Sequence, residues 1–256
     1  MSIMTNLQRH TEILKQLEEK ESIDVLQLCE ELNVSAVTIR KDLRLLEEKG
    51  LLYRTHGGAS RYTPYIRERP VMEKEQISAA EKKRIAAAAA KLIVPNDSVI
   101  LASGTTIHAM AREMVPQTGL TVITSSLNVA LTLLPHLEIN VLQLCGPVRH
   151  SSGSVTGQVA EAFLDHVVCS KLFLGVDGID LIHGLTTTDL AEARLNKKMI
   201  DASESTIVLA DSSKFSRHGF GKICGFEAVS RIITDDKIPE KIVKQLENMG
   251  VIMEIV

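Results

Sequence analysis

Two sets of residues in this chain have the types and spacing to do chemistry. The first lies in Val34 to Leu46, VSAVTIRKDLRLL. Ser35 is a good N-cap, and Ile39, Leu43 and Leu46 recur at helical spacing, which gives one apolar face. Opposite stand Thr38, Arg40, Lys41 and Arg44, short hydroxyls and cations near a helix start, where a recognition helix meets base edges and phosphates. Taken alone, the stretch fits a solvated amphipathic helix equally well.

The second set sits in loops after apolar runs. Ser103-Gly104-Thr105-Thr106 brings backbone N–H groups, hydroxyls and a helix N-terminus together as an anion site, or forms an ordinary N-cap turn. Thr124-Ser125-Ser126 and Gly146-Pro147 end the next two runs and either close the same crevice or form commonplace loops. Asp177 and Asp180, three apart in Gly175-Val176-Asp177-Gly178-Ile179-Asp180 and followed by Glu192, suit sugar hydroxyls or proton transfer. They equally suit tight turns. Lys214, in Ala210-Asp211-Ser212-Ser213-Lys214-Phe215, is placed to reach a phosphate or carboxylate, with a solvated loop lysine as the alternative.

The first set needs a small scaffold. Leu7, Ile13, Leu14 and Leu17 trace one helix, and Asp24 caps a second whose apolar residues are Val25, Leu28 and Leu32. Asn33 makes the turn into the cationic helix, which completes a helix-turn-helix. After Gly50, Leu51-Leu52-Tyr53-Arg54 predicts a strand and His56-Gly57-Gly58 a tip, so a wing offers Arg54 and His56 to phosphates. The net charge is −3, and a duplex-binding protein of that charge must concentrate its cations. Arg40, Lys41, Arg44, Lys49, Arg54 and Arg61 against Asp42, Glu47 and Glu48 do so. The first two helices are acidic and are placed away from DNA.

The second set needs a larger one. Residues 61–72 hold two prolines and alternating charges and predict a linker, so the domains are 1–60, a winged helix-turn-helix, and 73–256, an α/β unit. Glu73 to Ile93 predicts one long helix. Strands follow at Ser98–Ala102, Leu120–Ser125, Ile139–Cys145, Lys171–Val176, Thr206–Ala210, Arg231–Thr234 and Val251–Ile255. Helices fill the gaps at Thr106–Met114, Leu127–Leu134, Gly157–His166, Asp189–Ala202 and Pro239–Met249. The alternation calls for a mostly parallel sheet covered by helices, whose ligands bind at strand carboxyl ends.

Composition excludes several classes. The 256 residues are 45% hydrophobic, enough for a sizeable core, and 3% aromatic with no Trp, which argues against a stacking platform for single strands. Cys29, Cys145, Cys169 and Cys224 lack metal-ligand or disulfide spacing, which argues against a zinc site or a disulfide framework, and no metal or cofactor is expected. No apolar run spans a bilayer and no signal-peptide layout is present, so the expected setting is the cytoplasm.

The stretch Ser35-Ala36-Val37-Thr38-Ile39-Arg40-Lys41-Asp42-Leu43, with Gly50 and Arg54-Thr55-His56-Gly57-Gly58-Ala59, resembles the DNA-binding signature of the DeoR family of bacterial transcriptional regulators. Lys41 stands where the family more often has an arginine, and loses bidentate geometry there. The later segments resemble the family's sensor domain, which shares its fold with ribose-5-phosphate isomerase and the coenzyme A transferases, so the resemblance covers nearly the whole chain. It implies that Ser103 to Thr106 match the isomerase's phosphate loop, Gly175 to Asp180 its two-aspartate segment, and Asp211 to Lys214 its lysine segment. Ala102 and Pro147 depart from the family pattern, and His183-Gly184-Leu185-Thr186-Thr187-Thr188 lacks the isomerase's lysine and most of its glycines.

The resemblance implies a ligand-controlled repressor of sugar-catabolic genes. Its partners would be double-stranded operator DNA, a small phosphorylated sugar effector and at least one further copy of the chain. Expected effector residues are Ser103, Gly104, Thr105, Thr106, Ser125, Gly146, Asp177, Gly178, Asp180, Glu192 and Lys214. Two other classes fit the residues: a sugar-phosphate isomerase-like enzyme fused to a DNA-binding module, and a constitutive DNA-binding protein with an empty sensor.

Overall fold

A computed structural model of the chain describes residues 5–20, 22–49, 51–55, 57–60 and 70–256. It divides into two units, Met1–Tyr65 and Ile66–Val256.

In the first unit α1 (Asn6–Lys20), β1 (Ser22–Asp24), α2 (Val25–Leu32), α3 (Ala36–Glu48), β2 (Tyr53–Arg54) and β3 (Gly58–Ser60) follow in order. Asp24 caps α2 by accepting from the Leu26 N–H at 2.7 Å. Asn33 ends α2 in the left-handed region at φ 51°, which Asn tolerates better than most residues because its short polar side chain bonds locally. Ser35 caps α3 by accepting from the Thr38 N–H. Ile13, Leu17, Leu28, Ile39, Leu43, Leu46 and Leu52 fill the core. β3 lies between β1 and β2, antiparallel to both, so the wing is one rib of a three-stranded sheet. One expectation fails: Leu7 is 77% exposed, and the buried stripe of α1 is Arg9, Ile13 and Leu17. Gly50 and His56 lie outside the described residues.

The second unit opens with α4 (Val71–Gln76) and α5 (Ala79–Ala90). One continuous helix from Glu73 to Ile93 is not formed: Ile77 is extended and Ser78 takes φ 51°. The break has a packing reason. Ile85, Ala86 and Ala89 of α5 are buried in the core, whereas α4 buries no residue and gains none of the about 1.5–3 kcal/mol that a fully buried Leu or Ile contributes.

Then come β4 (Ser98–Leu101), α6 (Thr105–Glu113), β5 (Thr121–Thr124), α7 (Leu127–Leu133), β6 (Asn140–Gln143), β7 (Val148–Arg149), β8 (Ser154–Val155) and α8 (Gln158–Leu164). After them run β9 (Lys171–Gly175), β10 (Gly178–Asp180), β11 (Gly184–Thr187), α9 (Leu190–Asp201), β12 (Thr206–Leu209), β13 (Gly221–Cys224), β14 (Arg231–Thr234), α10 (Glu240–Asn248) and β15 (Ile252–Ile255).

All seven expected strands join one parallel sheet in the order β15-β14-β12-β9-β4-β5-β6. Alternation distributes it between two cores. Val99, Leu101 and Phe173 pack with α5, α6 and α7, while Ile100, Leu172 and Leu174 pack with α8, α9 and α10. From β4 the chain winds outward through β5 and β6, then returns to lay β9 against the other side of β4 and winds out through β12, β14 and β15. The order therefore reverses between β4 and β9, and a crevice opens at such a reversal beyond the carboxyl ends. Two short additions were not expected: the β7–β8 hairpin and an antiparallel sheet of β10, β11 and β13. Both carry loop residues toward that crevice.

Candidate functional sites

On the first unit, α3 turns Val37, Arg40, Lys41 and Arg44 outward on one stripe. Val37 is 74% exposed, an apolar residue on the polar face that sequence reasoning passed over. The short hydroxyls expected beside them are committed to the cap, since Ser35 Oγ and Thr38 Oγ1 lie 3.0 Å apart. Arg44 pairs loosely with Glu48 at 3.8 Å, both exposed, a contact worth little and easily exchanged. Arg54 is tethered to α3: its N–H donates to Glu47 Oε1 at 2.9 Å and its guanidinium is 3.8 Å from Glu47.

Asp42 is not part of the outward charge balance. It is 2% exposed beneath α3 and receives Arg9 Nε and Nη2 from α1 at 2.5 and 3.1 Å, with His10 Nε2 at 3.0 Å. Burial alone would raise its carboxyl, but hydrogen bonds and charge from Arg9 and His10 hold it below the usual carboxylate range.

In the second unit a crevice of about 600 Å³, counting the part open to solvent, lies at the β4–β9 reversal. Four elements build its floor. Ser103 to Thr106 lead from β4 into α6, which starts at Gly104 with φ 116° and no side-chain cap. That φ favours glycine, and an added Cβ would meet nothing within 4 Å, so the space beside the start of α6 is open where Gly104, Thr105 and Thr106 line the crevice. Gly175 at the end of β9 lets the two loops close up, since a Cβ there would lie 2.9 Å from the Ser103 carbonyl oxygen. Lys214 ends a 3-10 turn after β12 that Asp211 caps; burial pushes its ammonium down while Asp211 and Asp177 favour its charge. The last element, from β11 to α9, supplies Thr187, Thr188 and Glu192.

The carboxylates are spoken for by cations that sequence distance conceals. Lys74 Nζ of α4 donates to Asp177 Oδ1 at 2.8 Å across 103 residues, and Arg149 of the hairpin donates to Glu192 Oε2 at 2.5 Å across 43. Thr187 Oγ1 lies within 3.1 Å of Asp177 and 3.2 Å of Glu192, and Ser103 Oγ donates to Glu192 at 3.0 Å. Burial and the Asp177 charge raise the Glu192 carboxyl; burial opposes ionisation of Asp177 too, but Lys74, Lys214 and Thr187 outweigh it and keep that carboxyl low. Behind them Lys82 Nζ donates to the Lys74 carbonyl, and burial pushes its ammonium down to about 8.

Of the expected residues, Ser103, Gly104, Thr105, Thr106, Asp177, Glu192 and Lys214 line the crevice. Ser125, Gly146, Gly178 and Asp180 do not, and each has another task. Ser125 is buried with its carbonyl accepting from the Val155 N–H. Gly146 is exposed where the chain turns past the Thr156 carbonyl, and Gly178 lets the Arg217 carbonyl approach. Asp180 Oδ1 accepts from the Ile182 and His183 N–H groups, both at 2.9 Å, so it is a turn-former. His183 is exposed with its ring 4.8 Å from that of His218, outside the lining. Val71, Lys74, Arg149, Ser151, Ser152, Thr187 and Thr188 join instead. Among the described residues no group of side chains is arranged to hold a metal, and no helix is long and apolar enough to cross a membrane.

The chain matches the profile of the DeoR C terminal sensor domain over residues 77–236 and that of the DeoR-like helix-turn-helix domain over residues 9–64. It is similar to the putative aga operon transcriptional repressor of Escherichia coli O157:H7, 39% identical over 247 residues, 95% of this chain and 91% of that one. It is also similar to the glycerol-3-phosphate regulon repressor of Escherichia coli strain K12, 28% identical over 252 residues, 98% and 100% of the two chains. Among solved structures, ribose 5 phosphate isomerase A from Neisseria gonorrhoeae is 19% identical over 52% of each chain with a TM-score of 0.37.

Proposed function

The chain belongs to the DeoR family of DNA-binding transcriptional regulators, and we propose that it represses sugar-catabolic genes until a phosphorylated sugar or related metabolite fills the crevice at the β4–β9 reversal. One observation carries the ligand class. The uncapped N-terminus of α6 and Lys214 converge on the crevice floor, which gives preorganised N–H donors, a helix dipole and a cation for a phosphate. Asp177 and Glu192, beside Ser103 and Thr187, offer acceptors and donors to a polyol. The names of the relatives above, an aga operon repressor and a glycerol-3-phosphate regulon repressor, support the same class. Because members of the family are regulators rather than enzymes, the two carboxylates act as hydroxyl-binding groups of a receptor. A thermal-shift screen of phosphorylated sugars, with and without operator DNA, tests this. At ligand 100-fold above Kd the expected gain is about 2.7 kcal/mol, and no shift with any of them would remove the proposal.

In the first unit, α3 enters the major groove with Arg40, Lys41 and Arg44, while Arg54 on the wing meets a phosphate. Val37 is the apolar contact for a thymine methyl. Two recognition helices at matching half-sites require at least a dimer, and the setting is the cytoplasm. Arg40→Ala is expected to weaken specific binding by about 1–3 kcal/mol, whereas Lys41→Ala lowers the salt slope by about one unit with sequence preference kept. Binding isotherms at several salt concentrations separate the two, and wild-type behaviour in both variants would rule out α3 as the reading element.

A further inference from the structure

Lys74 and Val71 reach the crevice from α4, a segment that neither family profile covers, since the two matches span residues 9–64 and 77–236. Polar contacts tie α4 to the crevice loops and to α6. The Val71 N–H donates to the Ser151 carbonyl at 2.7 Å, Lys74 Nζ to Asp177 at 2.8 Å and Lys82 Nζ to the Lys74 carbonyl. Glu75 meets His108 Nδ1 at 2.9 Å, and His108 Nε2 in turn meets Thr132 Oγ1 at 3.1 Å. No residue of the helix is buried and no side chain caps it. Elements anchored in this way open at the low end of a protein's stability range.

We propose that α4 is a latch that reads the occupant of the crevice, with Lys74 as its ligand-sensing residue. This rests on the reading of the crevice as a phosphosugar site. A ligand phosphate held at Ser103 to Thr106 competes with Asp177 for the Lys74 ammonium. Asp177 tolerates the exchange, because Thr187 Oγ1, Thr188 N–H and Thr188 Oγ1 all point at its Oδ2 within 3.3 Å. The Lys74 side chain lines the crevice and is 25% exposed, so its ammonium is within reach of an occupant while the carbonyl of the same residue stays bound to Lys82. The other crevice contact of α4, through Ser151, sits on the hairpin that carries Arg149, so an occupant drawing on Arg149 acts on α4 from a second side. α4 is also the first described element after residues 61–69, the stretch leading back to the DNA-binding unit. A ligand shifts an equilibrium only through differential contacts with its two states, and the exchange of Asp177 for phosphate at Lys74 is such a difference.

The test uses the full chain with Lys74→Met and Lys74→Arg. Hydrogen exchange at residues 71–76 without any ligand is expected to rise about tenfold in Lys74→Met, a size consistent with losing one charge-assisted hydrogen bond, and to stay near wild type in Lys74→Arg. Ribose 5-phosphate, glycerol 3-phosphate and inorganic phosphate then serve as probes. With any probe that calorimetry shows to bind, wild-type exchange at 71–76 should change and operator affinity should shift. In Lys74→Met that probe binds more weakly, having lost its ammonium contact, and at saturating probe operator affinity no longer follows it. Unchanged ligand-free exchange in Lys74→Met, or operator release equal to wild type, overturns the latch. If none of the three binds wild type and the wider screen of phosphorylated sugars is also empty, the phosphate reading of the crevice and the sensing role of Lys74 both fall, while ligand-free exchange raised only in Lys74→Met still shows that the Asp177 contact holds α4.

Discussion

Replacing Gly104 with valine is expected to abolish the ligand response, so that operator affinity no longer falls when a phosphorylated sugar is added. Two physical effects act together. At φ 116° a β-branched residue is held outside its allowed region, at a cost of about 1–3 kcal/mol. The new side chain also projects into space where no protein atom lies within 4 Å, in front of the first N–H groups of α6. Each hydrogen bond from those groups to a charged phosphate is worth about 1.5–3 kcal/mol, so loss of two weakens binding by at least about a hundredfold. Gly104→Ala keeps most of the backbone strain with little of the obstruction, and its intermediate loss separates the terms. Calorimetry with the sugar found in the thermal-shift screen is the measurement, and equal affinity in Gly104→Val and wild type would take this loop out of the site.

That loop was legible in the sequence because its signal is local: an apolar run, a glycine flanked by hydroxyls, then a helical period. The seven strands of the large sheet were legible for a similar reason, each being a short apolar run between turn residues. What escaped was whatever depends on two distant segments meeting. Lys74 reads as one more charge on a helix and Arg149 as a loop cation, because nothing near either residue announces Asp177 or Glu192. The two aspartates of Gly175 to Asp180 show the converse. Spacing placed them together, yet Asp177 points into the crevice and Asp180 closes its own turn. In a three-residue strand, here β10, side chains at adjacent positions face opposite ways and the ends leave it, so a carboxylate's type and spacing do not say which side it serves.

Arg9 is the same lesson inside the first unit, and it leads to the largest expected loss of stability. Its place on α1, four residues before Ile13 and eight before Leu17, belongs to the buried stripe, and a guanidinium at 5% exposure requires a partner. Asp42 supplies it from α3, so one buried pair ties the first helix to the recognition helix. Asp42→Ala takes the carboxylate away from that guanidinium, and Asn6 Oδ1 at 2.9 Å is a neutral acceptor that does not replace the lost charge. Breaking such a pair costs about 3–5 kcal/mol, and a unit of this size rarely has more than about 3–5 kcal/mol to lose. Hydrogen exchange across α1 and α3 in the full chain is therefore expected to show the first unit unfolded or nearly so, with the second unit protected as in wild type. Acid should act on the same pair. The folded Asp42 carboxyl lies below its ordinary value, so its stabilisation is complete above the unfolded pKa of about 3.9 and is lost as pH falls through the lower folded value. The double replacement Arg9→Met with Asp42→Leu removes both charges, and since apolar substitution of a whole buried pair is often neutral or better, it should restore protection and flatten the acid dependence. Wild-type protection in Asp42→Ala would show that the pair does not hold α1 to α3.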